Sequence, residues 1–272
     1  MSEVARPYLV FSSVGPDSRH QSWLRGRRNF DLAMVDYAGE CPESADYLLW
    51  RRTGTKWPNL AYLAEIWPEL YKYSAVAVLD DDLEISGESL NRAFELFQEH
   101  GLWLAQPSLQ LGSFFSWSFT LQRPYLSLRF SGFVENNATM LRTQDLPGLL
   151  ALFSETLSGY GLDWILPQIL QAPPRTVAVI DEISVFHPAR RPALDQLWSR
   201  AEQRRQGLDL CRRYQARPLE PSEHGFVLNA RGQTWVAQGA TPELVYATAH
   251  RFVRHQMASV IDTFGTTPGI ES

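Results

Sequence analysis

A chain of 272 residues, 44% hydrophobic and 20% charged, reads as an ordinary globular protein with enough apolar mass for one large core. Its net charge of −5 argues against a nucleic-acid partner, because binding a phosphate backbone needs a basic face. Cys41 and Cys211 are too few and too far apart for a disulfide framework or a Cys-x-x-Cys metal site, which suits a cytoplasmic setting. No apolar run is long enough to cross a bilayer, and Met1 to Pro7 lacks the charged-then-apolar pattern of a signal peptide.

The first predicted strand is Tyr8 to Gly15, apolar and then abruptly small and polar at Ser12 and Ser13. Small residues at a strand tip let a ligand come close, although neither a Gly-x-Gly-x-x-Gly fingerprint nor a P-loop is present. The basic stretch from His20 to Arg28 either reaches an anion or forms a solvated face. A second strand, Phe30 to Tyr37, carries Asp36 near its tip, where it either accepts from a ribose or base or caps a turn. After Lys56, residues Leu60, Leu63, Ala64, Trp67, Leu70 and Tyr71 fall at helical spacing, with a bend or restart at Pro68.

The most informative stretch follows, an apolar run from Ser74 to Leu79 that ends in Asp80-Asp81-Asp82. Such a run predicts a strand buried on both faces, and ligands bind at the C-terminal ends of strands in open α/β sheets. Adjacent carboxylates repel one another unless a cation, a proton or open water relieves them. Asp80 and Asp82 point the same way in extended chain and Asp81 the opposite way, so the first two offer a pair of hard oxygen ligands to Mg²⁺ or Mn²⁺. The competing interpretation is a solvated acidic turn. Ser86 is then expected to cap a helix that Gly101 ends, and Leu102 to Pro107 to form a fourth strand.

In the middle of the chain, alternation over Ser113 to Thr120 predicts half-exposed antiparallel strands beside the parallel ones, and Phe133 to Leu141 a further strand bearing Glu135. Asp145 to Leu157 is expected to be helical. The turn Ser158-Gly159-Tyr160-Gly161 then delivers Asp163 to the start of the next helix, where it either caps or faces a ligand that the glycines allow to approach. Thr176 to Asp181 reads as a last buried strand, followed by His187, which is either a structural histidine or a ligand returned to the same sheet edge as Asp80. From Pro192 a polar helix runs to Tyr214. A hairpin joining residues 226–228 to 234–236 and an amphipathic helix from Pro242 to Phe264 complete the pattern.

Taken in order, Leu9 to Gly15, Lys56, Val78 to Asp82, Leu104 to Ser108, Phe133-Val134-Glu135, Gly159 to Trp164 and His187-Pro188 resemble the DUF707 family, which is in turn similar to GT-A-fold glycosyltransferases. The resemblance covers residues 8–190. It implies an α/β fold with a mixed, mainly parallel central sheet flanked by helices, Rossmann-related, over residues 1–190; residues 191–272 lie outside it and read, from their own pattern, as a mostly helical appendage carrying the hairpin. It further implies a nucleotide-sugar donor, an unspecified saccharide or small-molecule acceptor, and Mn²⁺ or Mg²⁺ on Asp80, Asp82 and His187. Ser12, Ser13, Asp36, Lys56 and Asp81 are the expected contacts on the nucleotide side, Asp163 the expected general base with Glu135 as its alternate, and Tyr160 and Trp164 the acceptor wall.

Two other functions fit parts of the sequence. A haloacid-dehalogenase-like phosphohydrolase would also use Asp-x-Asp after a buried strand, but it wants that strand near the N-terminus and a lysine downstream. Lys56 and Lys72, both upstream, are the only lysines. A non-catalytic binding or scaffold protein would keep the fold and lose the reaction, since fold alone guarantees no activity.

Overall fold

The computed structural model describes residues 6–39, 44–50, 52–124, 126–188, 197–228 and 234–236. They build one ten-stranded sheet, in the order β10-β9-β6-β8-β5-β7-β4-β1-β2-β3, with helices on both faces. The strands are β1 (Tyr8–Val14), β2 (Phe30–Asp36), β3 (Tyr47–Trp50), β4 (Ala75–Leu79), β5 (Leu104–Leu109), β6 (Leu126–Ser131), β7 (Ala138–Arg142), β8 (Val177–Val185), β9 (Glu223–Leu228) and β10 (Thr234–Val236). Following the pairings across the sheet, β6, β7 and β10 run against the common direction of the other seven, so the sheet is mixed and mainly parallel.

Alternation along the inner strands explains the layering. Leu9, Phe11, Val76 and Val78 face one helical layer, made of α1 (Lys56–Ile66), α3 (Leu150–Glu155), α4 (Leu162–Ile169) and α5 (Arg200–Arg213). Val10, Ala75, Ala77 and Leu79 face the other, where α2 (Gly87–Glu99) packs through Leu90, Phe94 and Phe97. With both faces covered, β4 is buried along its whole length between β1 and β7. The Ser86 hydroxyl accepts from the Ser89 N–H at 3.1 Å to start α2, and Ser199 and Glu202 form a reciprocal capping box at α5. Among the described residues no helix is long and apolar enough to cross a membrane.

Several elements differ from the sequence expectation, each for a local reason. Residues 113–120 form a loop with a short 3-10 turn, Ser118–Thr120, because their buried members are the polar Ser113 and Thr120 while Phe115 is exposed. The antiparallel strand expected there is instead β6, just downstream. The strand bearing Glu135 begins only at Ala138, and Glu135 lies in the connection before it, its N–H donating to the Gln106 side chain. Pro147 lies inside a 3-10 turn, Thr143–Gly148, that precedes α3, so one expected helix becomes two short ones. The short edge strand β3 has no counterpart in the expectation. The expected break after Asp181 is a shift in the register of β8 against β5 between Pro107 and Ser108, and β8 continues to Val185.

The chain beyond residue 190 joins both layers of this architecture. α5 packs beside α4, and β9 pairs with β6 to carry the sheet onward, so the sheet continues across the boundary expected at residue 190. The helix expected from Pro242 to Phe264 lies outside the described residues.

Candidate active site

The C-terminal end of β4 carries the acidic triplet to the sheet edge. The Asp80 N–H donates to the Asn137 carbonyl at 2.8 Å, which fixes the chain as it leaves the strand beside β7. Two residues after Asp82, Glu84 and Phe186 exchange backbone hydrogen bonds of 2.9 and 3.0 Å, and this bridge sets His187 alongside Asp82. One ligand atom from each of Asp80, Asp82 and His187 then lies within 4.8 Å of the others. His187 Nε2 stands 3.6 Å from Asp82 Oδ1, while its Nδ1 is buried without a partner among the described residues.

Two carboxylates and an imidazole make a donor set that suits Mn²⁺ or Mg²⁺, and atoms this close can share one ion. Lys56, nearly buried at the first turn of α1, sits beside them with Nζ 2.8 Å from Asp80 Oδ1. It also donates to the carbonyls of Asn136 and Asn137. Ser113 and Phe114 back the histidine. The His187 N–H donates to Ser113 Oγ at 3.1 Å, and the Phe114 ring meets the imidazole edge-on at 5.7 Å.

A second cluster of titratable groups lies in the helical layer that holds α1 and α4. Glu135 is buried and both of its oxygens are engaged, one by the Ser116 N–H and the other by the Thr120 hydroxyl, each at 3.0 Å. Burial pushes its carboxyl up, against the pull of those donors and of the nearby His187. Asp163 opens α4 after Gly161, whose φ of 91° is the left-handed conformation that glycine adopts without strain. Burial, and then the charge of Glu135, push the Asp163 carboxyl up to about 7, although its own N–H and those of Gly161 and Trp164 favour the ionised form. Tyr160 and Trp164 stand edge to face at 5.3 Å beside it, and the Trp164 indole N–H has no partner among the described residues.

The remaining sequence candidates, at and beside the ends of β1, β2 and β4, are engaged within the protein. Ser12 is fully buried and donates to the Leu79 carbonyl at 2.9 Å, a tie between β1 and β4. Asp36 is also fully buried and accepts from the N–H groups of Ala38 and Gly39 at 2.9 and 2.7 Å, the turn-capping alternative. Ser13 lies nearer the surface and accepts from the Asn59 side chain at 2.9 Å. Asp81 receives the Gly15 N–H at 3.1 Å on its carboxylate, and its carbonyl accepts from the Arg19 N–H at 2.6 Å, holding the loop after β1. Sequence reasoning passed over Asn59, Ser113, Phe114 and Gln106. Of these, only the aromatic loop containing Phe114 stood out in the sequence, and it stood out as strand.

No protein-family model and no curated protein matches the chain. Among solved structures it is similar to S. aureus TarS 1–349, with a TM-score of 0.42 and 12% identity over 75% of this chain and 71% of that one. The same segment in complex with UDP gives 0.41 and 12% over 76% and 71%, and in complex with UDP-GlcNAc 0.40 and 13% over 68% and 59%. At these scores the likeness is loose, and it assigns no residue a role.

Proposed function

We propose that this protein is a metal-dependent glycosyltransferase moving a sugar from a nucleoside-diphosphate donor to an acceptor hydroxyl, in line with its resemblance to the DUF707 family. The observation that carries this reading is the meeting of Asp80, Asp82 and His187 at the end of a buried central strand, with Glu135 within electrostatic reach of His187 and Asp163 within reach of Glu135. Bound there, Mn²⁺ or Mg²⁺ would offset the charge that builds on a departing diphosphate. Lys56 holds Asp80 in place and adds a fixed positive charge to the same spot.

Asp163 supplies the other half of the reaction. A carboxyl titrating near 7 is half ionised at neutral pH and is a stronger base than an ordinary aspartate. It takes the proton of the acceptor hydroxyl as that oxygen bonds to the sugar's anomeric carbon, and the bond from that carbon to the diphosphate oxygen breaks with its electron pair leaving on the phosphate. Tyr160 and Trp164 form the wall against which the acceptor stacks. Calorimetry with Mn²⁺ and a panel of nucleoside diphosphates tests the donor half. Metal-dependent binding of one diphosphate is expected, and metal binding with no nucleotide preference would overturn the proposal.

A further inference from the structure

The helix beyond residue 190 carries a glycine where helices disfavour one. Gly207 lies in the middle of α5, a position that costs a helix roughly 1 kcal/mol relative to alanine and so asks for a packing reason. The reason lies across the interface with α4. A Cβ on Gly207 would stand 2.8 Å from Tyr160 Cδ1, 2.9 Å from the Tyr160 carbonyl oxygen and 3.2 Å from Gly161 Cα. In the other direction, a Cβ on Gly161 would stand 2.7 Å from Gly207 Cα. The two backbones therefore touch with no side chain between them, two residues before Asp163.

We propose that Gly207 is a positioning residue for Asp163: α5 is the surface on which the Tyr160-Gly161 turn seats, and through it the C-terminal segment sets where the carboxylate stands. This rests on the reading of Asp163 as the acceptor-side base. Other contacts hold α5 in that place. Leu210 and Cys211 are buried in the same core as Leu162 and Trp164. Gln168 on α4 donates to the Arg217 carbonyl at 2.8 Å and accepts its N–H at 3.2 Å, and Arg213 pairs with Glu155 at 2.6 Å. The charge that reaches Asp163 is that of Glu135 from the connection before β7, and burial and then the charge of Asp163 push up the Cys211 thiol on α5.

The test is the titration of Asp163 in the full-length, metal-free protein, followed by carboxyl ¹³C NMR and assigned with Asp163→Asn. In Gly207→Ala the Tyr160 carbonyl, which is backbone, has to move, so the turn lifts and Asp163, already partly exposed, meets more water. Its midpoint is expected to fall from about 7 toward the ordinary aspartate range, while affinity for Mn²⁺ alone stays within about twofold of wild type, because the turn reaches Asp80 only at second hand, through the Asn136 side chain on the Gly159 carbonyl and Lys56. A folded Gly207→Ala protein with an unmoved Asp163 midpoint would overturn the proposal. Should that variant not fold, Gln168→Ala cuts the link to Arg217 without adding atoms, and it is expected to lower the midpoint by a smaller amount; no change there would overturn it equally. Neither readout needs a transfer assay, so the result is separable from whether Asp163 is the base.

Discussion

The two ends of the candidate site are held by different physics. Around Asp80, Asp82 and His187, position is set by directional backbone bonds: Asp80 to Asn137, and the Glu84 to Phe186 bridge. Around Asp163, position is set by contact, with a left-handed glycine, a helix start and the bare face of α5. The first arrangement tolerates loss of a side chain because the backbone keeps its shape. In the second, backbone pressed against backbone is the shape, so an added side chain disturbs it, and desolvation is what tunes the group.

The largest effect that would sharpen this contrast is at the sheet end. Asp80→Asn and Asp82→Asn are each expected to weaken Mn²⁺-dependent nucleotide binding about a hundredfold or more, since a ligand carboxylate loses its charge. The melting temperature of Asp82→Asn is expected to hold or rise, because a crowded acidic tip becomes less repulsive, whereas Asp80→Asn takes the charged partner from the nearly buried Lys56 and is expected to melt lower. Unchanged affinity in calorimetry for both variants would break the comparison at its stronger end.

Next comes Asp163→Asn, which keeps the amide geometry at the start of α4. Loss of a general base lowers turnover about 10²- to 10⁴-fold, whereas loss of a mere cap costs roughly 1 kcal/mol of stability and leaves the folded fraction active. Once a substrate pair is known, near-normal transfer with intact Mn²⁺ affinity would leave Asp163 structural and move attention to Glu135.

A smaller effect concerns stability against pH. Asp163 titrates near 3.8 when unfolded and at about 7 when folded, so between those values the folded state holds a proton the unfolded state has lost. Stability therefore falls as pH rises through that window, by at most about 1.4 kcal/mol for each pH unit crossed, and levels off above about 7. Asp163→Asn should lack this slope and melt higher than wild type at pH 8. Parallel melting profiles for the two proteins from pH 4 to 8 would contradict it.

The smallest expected change is at Ser12, where alanine removes one bond to Leu79 and costs about 1 kcal/mol, with no effect on nucleotide affinity. A Ser12→Ala protein that bound nucleotide tenfold more weakly would return Ser12 to the ligand side.

What could be read from the sequence follows from the same contrast. An apolar run with carboxylates at its end has few ways to fold, so the central place of β4 and the outlook of Asp80 and Asp82 were legible. The glycines around Tyr160 announced a turn, which the positive φ of Gly159 and Gly161 bears out. Legibility failed where a side chain's direction decides its role, since nothing local distinguishes a Ser12 hydroxyl that faces a neighbouring strand from one that faces solvent. It failed again over residues 113–120, where the alternation was real but the small polar residues turned inward to serve His187 and Glu135. Gly207 was invisible for a third reason: its partner is a turn far away in the chain.

The proposed metal site has a consequence in time. Asp80 and His187 are more than a hundred residues apart, and the bridge joining their segments needs β4, β5, β7 and β8 already laid side by side. An ion requiring all three side chains meets them only in the finished fold, because each closure over so long a stretch of chain comes late. Such an ion would act as a latch, leaving the rate of folding as it was and slowing the rate of unfolding.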